Sequence, residues 1–145
     1  MENIQLDSGI KAYHIQNGGV LRFNPSDPNV YGRFLEAADK IKDLEEQLVE
    51  QAKQMEQHDG GAMVQLMVSA DKQIKEILNW VFGCGNDFDK ILGGVNLLAV
   101  ADNGQQVIGN LLSALEPILV NGAQRYAKEK TDEAVRKAEA RRAGV

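Results

Sequence analysis

The tightest cluster of residues that could do chemistry is Cys84, Asp87 and Asp89, which follow a Phe-Gly pair. A thiolate and two carboxylates can bind metal, but zinc sites usually recruit further Cys or His ligands, and a calcium loop needs a late Glu that this stretch lacks. The two histidines, His14 and His58, lie far away in the sequence, so a base for a cysteine nucleophile would require a tertiary contact. We therefore interpret the cluster as a helix cap beside a buried or half-buried thiol.

The glycines around this cluster do not form a phosphate-binding loop. Gly83, Gly85, Gly93 and Gly94 match neither the Walker pattern nor the dinucleotide pattern. We therefore expect a non-enzymatic protein with no catalytic residues, no metal and no cofactor.

Length and composition are typical of one soluble domain. The chain has 145 residues, of which 43% are hydrophobic and only 6% aromatic, which favours helices over an all-β sandwich. No apolar run approaches the ~20 residues of a membrane span and no signal peptide is visible, so we expect a cytoplasmic protein without a membrane partner. The net charge of −5 argues against nonspecific nucleic-acid binding.

The element around which the chain is organised is a predicted helix over Asp27–Gln57. Its start is marked by Asp27 as a cap and Pro28 at the first helical position, and we expect Asp59-Gly60-Gly61 to end it. Apolar residues recur at heptad spacing along it; they are Phe34, Ala37, Ile41, Leu44, Leu48 and Met55.

A second apolar stripe predicts a helix from about Ala62 to Phe82. The connection is short, so the two helices should form an antiparallel hairpin. Met55, Met63 and Met67 then lie near its tip. They could be an adaptable partner-binding surface or simply core filler.

Residues 1–26 predict a β-hairpin. Two alternating stretches, 10–15 and 20–23, flank Asn17-Gly18, which is typical of a type I′ turn because both central residues tolerate positive φ. Ile4 and Leu6 could extend the first strand or form a short third one.

Beyond residue 82 the sequence predicts a short helix over 87–92 capped by Asn86, and a buried helical turn over 95–101. Asp102 and Gln105 resemble a capping box. They should open a long helix that runs towards Ala140.

Two residues should shape this long helix. Pro117 lacks a backbone donor, so we expect a kink or break near 113–116. Gly122 would allow another backbone to approach closely. Beyond Tyr126 the apolar stripe thins out, which predicts an exposed tail.

The charges are unevenly distributed. Residues 36–59 carry eight acids and three lysines, and residues 125–142 carry seven bases and four acids, giving −5 and +3. These regions could meet within one chain, meet between neighbouring copies, or be two solvated faces. Arg125, Lys128 and Arg136 are candidate partner-binding residues, but the interleaved acids disfavour nucleic acid as the partner.

Four stretches together resemble a known group of proteins: the opening IKAYHIQNGGVLRFNPSDPNVYGRF, the charged helix after it, WVFGCGNDFDKILGGVNLLAVADNG, and the Lys/Arg/Ala-rich end. They are similar to small proteins encoded in the tail-gene modules of phages and prophages of Gram-positive bacteria. Such proteins resemble tail assembly chaperones, which hold the helical tape-measure protein soluble until the tail tube polymerises around it.

The resemblance implies a non-enzymatic chaperone in the host cytoplasm whose partner is the tape-measure protein or another tail protein. It carries no functional residues over to this chain. The competing hypothesis is a structural tail or scaffold subunit, a homo-oligomer that self-associates through its hairpin and helices.

The predicted architecture is one α+β domain, mainly α. Its parts are a β-hairpin over 1–26, a long helical hairpin over 27–82, a helical core over 86–126 with a helix kinked near Pro117, and a charged helical tail over 127–145.

Overall fold

A computed structural model describes residues 1–55 and 59–144, and it confirms a mainly helical α+β fold with a small hairpin and a long C-terminal helix. The elements, in chain order, are β1 (Lys11–His14), β2 (Val20–Phe23), α1 (Pro28–Gln54), α2 (Gly60–Phe82), α3 (Phe88–Ile91) and α4 (Val107–Ala143). None of the described helices combines the length and the apolar character that crossing a membrane would require.

The two strands pair antiparallel, with Tyr13 opposite Leu21. The prediction of a type I′ turn was wrong, because only Asn17 has positive φ (62°) and Gly18 does not. Gly18 is needed for a different reason. A Cβ there would clash with the carbonyl oxygen of Ile91, and the next amide, Gly19, donates to that oxygen at 2.7 Å.

The segment before β1 forms no strand. Ile4 and Leu6 are 95% and 82% exposed, so the expected extension or third strand is absent from this part of the structure.

Helix α1 begins as predicted. The Asp27 side chain accepts a hydrogen bond from the Asn29 amide, and Pro28 occupies the first turn. The predicted end was wrong: α1 ends at Gln54, and Gly60 and Gly61 open α2 instead, because Asp59 caps α2 by accepting from the Ala62 amide. The last predicted residues of the first helix, 56 and 57, lie outside the described range.

Helices α1 and α2 form the predicted antiparallel hairpin, and the Arg33 Nε near the start of α1 donates to the Val81 carbonyl near the end of α2. Phe34 and Ile41 of the heptad seam are buried, whereas Leu44 and Leu48 are half-buried. The core therefore lies at the base of the hairpin and thins out towards its tip.

The turn between α2 and α3 also differs from the prediction. Asp87, not Asn86, caps α3 by accepting from the Asp89 amide. Asn86 instead holds β2, because its side chain accepts from the Arg22 amide at 3.0 Å and donates to the Arg22 carbonyl at 2.7 Å.

The approach to α4 is irregular. Residues 95–101 form turns rather than the expected helical turn, although Leu97 and Leu98 are fully buried. The predicted capping box is wrong as well. Gln106 is the cap residue, and it makes no side-chain capping bond.

Helix α4 continues through Pro117, so the predicted break is absent. The alternative, a kink at Pro117, is compatible with a continuous helix and stays a prediction. The predicted close approach of another backbone at Gly122 is confirmed, because a Cβ there would clash with the carbonyl of Pro25. Beyond it the helix is almost entirely exposed up to Gly144.

Candidate interaction surface

The helical hairpin α1–α2 has one covered flank and one open flank. On the covered flank, Asp71 of α2 accepts a hydrogen bond from the Leu97 amide at 2.7 Å. Asn96 in the same segment donates to the Met67 carbonyl at 3.4 Å. Residues 66, 69, 73 and 80 lie on the opposite side of α2, where no other described element covers them.

A groove runs along this open flank, and we call it the α1–α2 groove. It consists of a cavity of about 520 Å³ and an adjoining one of about 170 Å³, which share Leu44, Gln47 and Gln73. The lining residues from α1 are Lys40, Asp43, Leu44, Gln47, Leu48 and Gln51; those from α2 are Leu66, Ser69, Ala70, Gln73, Glu76, Ile77 and Trp80.

The floor of the groove is apolar and its rim is polar. Leu44, Leu48 and Ile77 are half-buried, because they fill the seam between the helices at its outer edge. The rim carries glutamine amides and both signs of charge, so it can accept or donate hydrogen bonds without a strong charge preference.

Trp80 forms one end of the groove. Its side chain is 43% exposed, and the Lys40 ammonium lies 4.3 Å from the ring centroid. An aromatic side chain with one polar edge is typical of the anchors of protein interfaces.

The groove depends on a stable covered flank, which a buried ion pair supports. Lys75 of α2 is 4% exposed, and its ammonium lies 2.8 Å from Asp71 and 2.7 Å from Asp89 of α3. Burial alone would lower the pKa of Lys75, but hydrogen bonds and charge from the two aspartates outweigh burial and raise it. The same hydrogen bond lowers the pKa of Asp89.

The methionines lie near the tip of the hairpin, as predicted, but outside the groove. Met55, Met63 and Met67 are all half-buried, and only Met67 packs against the core cluster. Their role as a partner-binding surface therefore stays a prediction.

The basic candidates lie at the opposite end of the molecule. Gly122 contacts Pro25, just before α1 begins, whereas Met55 lies one helix length of ~40 Å beyond that start. Arg125, Lys128 and Arg136 are exposed on α4 past Gly122, so the structure does not bring them near the methionines.

The oppositely charged regions do not meet within the described part of the chain. The ion pairs of the tail join Lys130 and Lys137 to Glu133, and those of α1 join Lys40 to Glu36 and Lys53 to Glu50. Contact between neighbouring copies stays a prediction.

The cysteine cluster differs from its interpretation as a cap beside a covered thiol. Cys84 is exposed, with a positive φ of 55°. The described residues contain no group of three or more His, Cys, Asp or Glu side chains arranged to hold a metal. His58 lies outside the described residues.

Reasoning from sequence missed the groove, because Leu44, Leu48 and Ile77 were expected to be covered within the seam between the helices. The glutamines beside them were expected to be ordinary solvated positions. The available signal was Trp80, the only tryptophan, placed beside the apolar stripe rather than in it. No protein-family model, curated protein or solved structure matches this chain.

Proposed function

We propose that this protein is a non-enzymatic phage tail assembly chaperone of the host cytoplasm that binds a helical segment of the tape-measure protein in the α1–α2 groove. The observation that carries the proposal is an open groove with an apolar floor and an exposed tryptophan, on a flank of the helical hairpin that no other described element covers. The resemblance of the sequence to phage tail-module proteins supplies the context.

The dimensions of the groove suit one amphipathic helix. From Lys40 to Gln51 it extends over eleven residue steps of α1, or ~16 Å, which is about three helical turns. A guest helix would place its apolar side chains at i, i+3, i+4 and i+7 on Leu44, Leu48 and Ile77. Its polar face would remain in water, which keeps the complex soluble.

The rim explains how such a site could hold several related segments. Gln47, Gln51 and Gln73 carry both donors and acceptors, so each amide can adapt to a different polar side chain of the guest. A holder of a long repetitive helix needs this tolerance more than it needs tight binding to one sequence.

A co-expression experiment tests the proposal. The chain is produced with the tape-measure protein of the same gene neighbourhood, and the soluble tape-measure protein that it retains in a pull-down is measured. Trp80→Ala should reduce retention, because it removes the anchor of the groove.

Val68→Ala is the matched control. Val68 is also 43% exposed and also on α2, but it does not line the groove. Equal retention by both variants would contradict the groove as the binding site.

The competing function is a structural tail subunit, which the exposed α4 favours because it offers a long surface for assembly. Mass spectrometry of purified virions separates the two. A chaperone should be absent from finished particles, and stoichiometric amounts of this chain in them would contradict the chaperone proposal.

A further inference from the structure

The two outer edges of the β-hairpin are not equivalent. Ile15 donates to the Gly19 carbonyl, so the alternation of an antiparallel pair turns the backbone groups of Tyr13 and Leu21 inward and those of Ala12, His14 and Arg22 outward. Asn86 binds both outward groups of Arg22. At Arg22 the edge of β2 is therefore already satisfied.

The edge of β1 is open. No hydrogen bond within residues 1–55 and 59–144 reaches the outward backbone groups of Ala12 or His14. An exposed strand edge with free donors and acceptors is a template for another strand, and this hairpin is too short to be a complete sheet.

A cavity adjoins the same edge, between β1 and α4. It has a volume of about 260 Å³ and is lined by Lys11, Tyr13, Pro25, Ile118, Asn121, Gly122 and Arg125. Lys11 and Tyr13 alternate along β1 and face one side of the hairpin, so a strand added to β1 would direct every second side chain into this cavity.

The chain contains a segment with this pattern. We call residues 1–7 the arm. In it Ile4 and Leu6 lie two residues apart, with polar Asn3 and Gln5 on the alternate positions. Ile4 and Leu6 are almost fully exposed, so no described part of the same copy covers them.

The arm of the same copy is led away from the open edge. The Ser8 carbonyl accepts a hydrogen bond from Asn24, which directly follows β2, and Asp7 accepts one from the Gly9 amide. Residues 7–9 are therefore held beside the end of β2 and not along the free edge of β1.

We propose that the arm of a second copy adds to β1 as a third strand, with Ile4 and Leu6 in the cavity beside Tyr13 and Ile118. Reciprocal exchange of two arms gives a closed dimer, because each copy has one arm and one open edge. Main-chain hydrogen bonds supply the pairing, and Tyr13 and Ile118 are the apolar contacts that the cavity offers to Ile4 and Leu6. This inference is independent of the proposed function, since it uses neither the groove nor a client.

Sedimentation velocity of the full chain over a concentration series tests the exchange. High salt is used so that attraction between the charged surfaces is screened. The wild-type chain should dimerise, and Ile4→Ser with Leu6→Ser should raise the dissociation constant about tenfold or more, because two apolar side chains lose their cover.

The control is Asn3→Ser with Gln5→Ser, which changes the other face of the arm and should leave dimerisation intact. At concentrations well below the dissociation constant, where all three proteins are monomers, they should show the same thermal midpoint, because the arm is exposed in one copy. A wild-type chain that stays monomeric, or equal association of the two double variants, would overturn the proposal.

A second variant tests the edge itself. Ala12→Pro removes an outward amide without removing a bond to β2, which proline tolerates at a strand edge. Ala12→Pro should weaken dimerisation about tenfold or more while Ala12→Ser does not. Unchanged dimerisation of a folded Ala12→Pro chain would show that β1 is not the acceptor.

Discussion

At the scale of single residues, the most consequential side chain is Lys75. From sequence, a lysine within the apolar stripe of an amphipathic helix would be expected to lie at the surface. Lys75 is instead buried between two aspartates. Because Asp71 also accepts the Leu97 amide, one ion pair joins α2, α3 and the segment before α4.

Lys75→Met should lower the free energy of unfolding by about 3 kcal/mol, because it leaves the buried Asp71 without its cation. Chemical denaturation measures this loss. Asp89→Asn is the control, since Asp89 is exposed and its removal leaves the inner pair intact, so its loss should be much smaller. Equal losses for the two variants would contradict the assignment of Asp71–Lys75 as the structural pair.

The ion pair between Lys75 and Asp89 predicts a dependence of stability on pH at both extremes. The pKa of Asp89 is lowered in the folded chain, so its contribution is present above its ordinary value and is lost as pH falls through the folded pKa. The pKa of Lys75 is raised above 10.5, so its contribution is present below that value and is lost as pH rises through the folded pKa. In denaturation curves across pH, Lys75→Met should flatten both declines relative to wild type, and unchanged slopes would contradict this account.

At the scale of elements, the chain divides into a packed base and two projections, the tip of the α1–α2 hairpin and the end of α4. The heptad stripe of α1 predicted the inward face but not the depth of burial. The depth of burial depends on which other elements cover the helical hairpin. Helix α4 begins only near the middle of α2, where the Ile108 amide donates to the Leu97 carbonyl and the Leu97 amide donates to Asp71.

Ile41→Asp tests the base of the hairpin. Ile41 is 3% exposed, so a carboxylate there should cost about 4 kcal/mol or more through desolvation and lost packing. Val49→Asp is the matched control on the same helix, because Val49 is 51% exposed and should change stability by less than about 1 kcal/mol. Thermal melting compares them, and an unchanged midpoint for Ile41→Asp would mean that the seam does not stabilise the fold.

Truncation after Tyr126 tests the end of α4. The removed residues are exposed, so the melting midpoint should stay within a few degrees of the full chain while helical ellipticity falls. Gly122, which contacts Pro25, remains in the shortened chain. If the truncated chain unfolds, the tail belongs to the core.

At the scale of the whole molecule, hydrophobic periodicity, turn residues and helix caps predicted the β-hairpin, the long helices α1, α2 and α4, and the exposed tail. Two of the errors came from glycines. Gly60 and Gly61 were predicted to end α1, but they lie in the first turn of α2, where the Asp59 cap compensates for their low helix propensity. Gly18 was predicted to be needed for a type I′ turn, but it is needed because it lets the hairpin loop approach the backbone of α3 closely.

The surfaces were harder to predict than the elements, for a physical reason. Whether Leu44 and Ile77 are covered depends on which flank of the hairpin receives α3 and α4, and that choice follows from tertiary contacts such as Lys75 with Asp89. The methionines and the basic tail were chosen by composition alone, and they lie at opposite ends of the molecule.

The most direct test of the central claim is the fluorescence of Trp80, the only tryptophan, which lines the groove. The full chain is titrated with helical segments of the tape-measure protein that lack tryptophan. Binding in the groove should shift the emission to shorter wavelength and protect the indole from a soluble quencher, because the guest helix removes water from the exposed side of the ring. A segment that binds by pull-down but leaves the emission and the quenching unchanged would contradict the α1–α2 groove as the site.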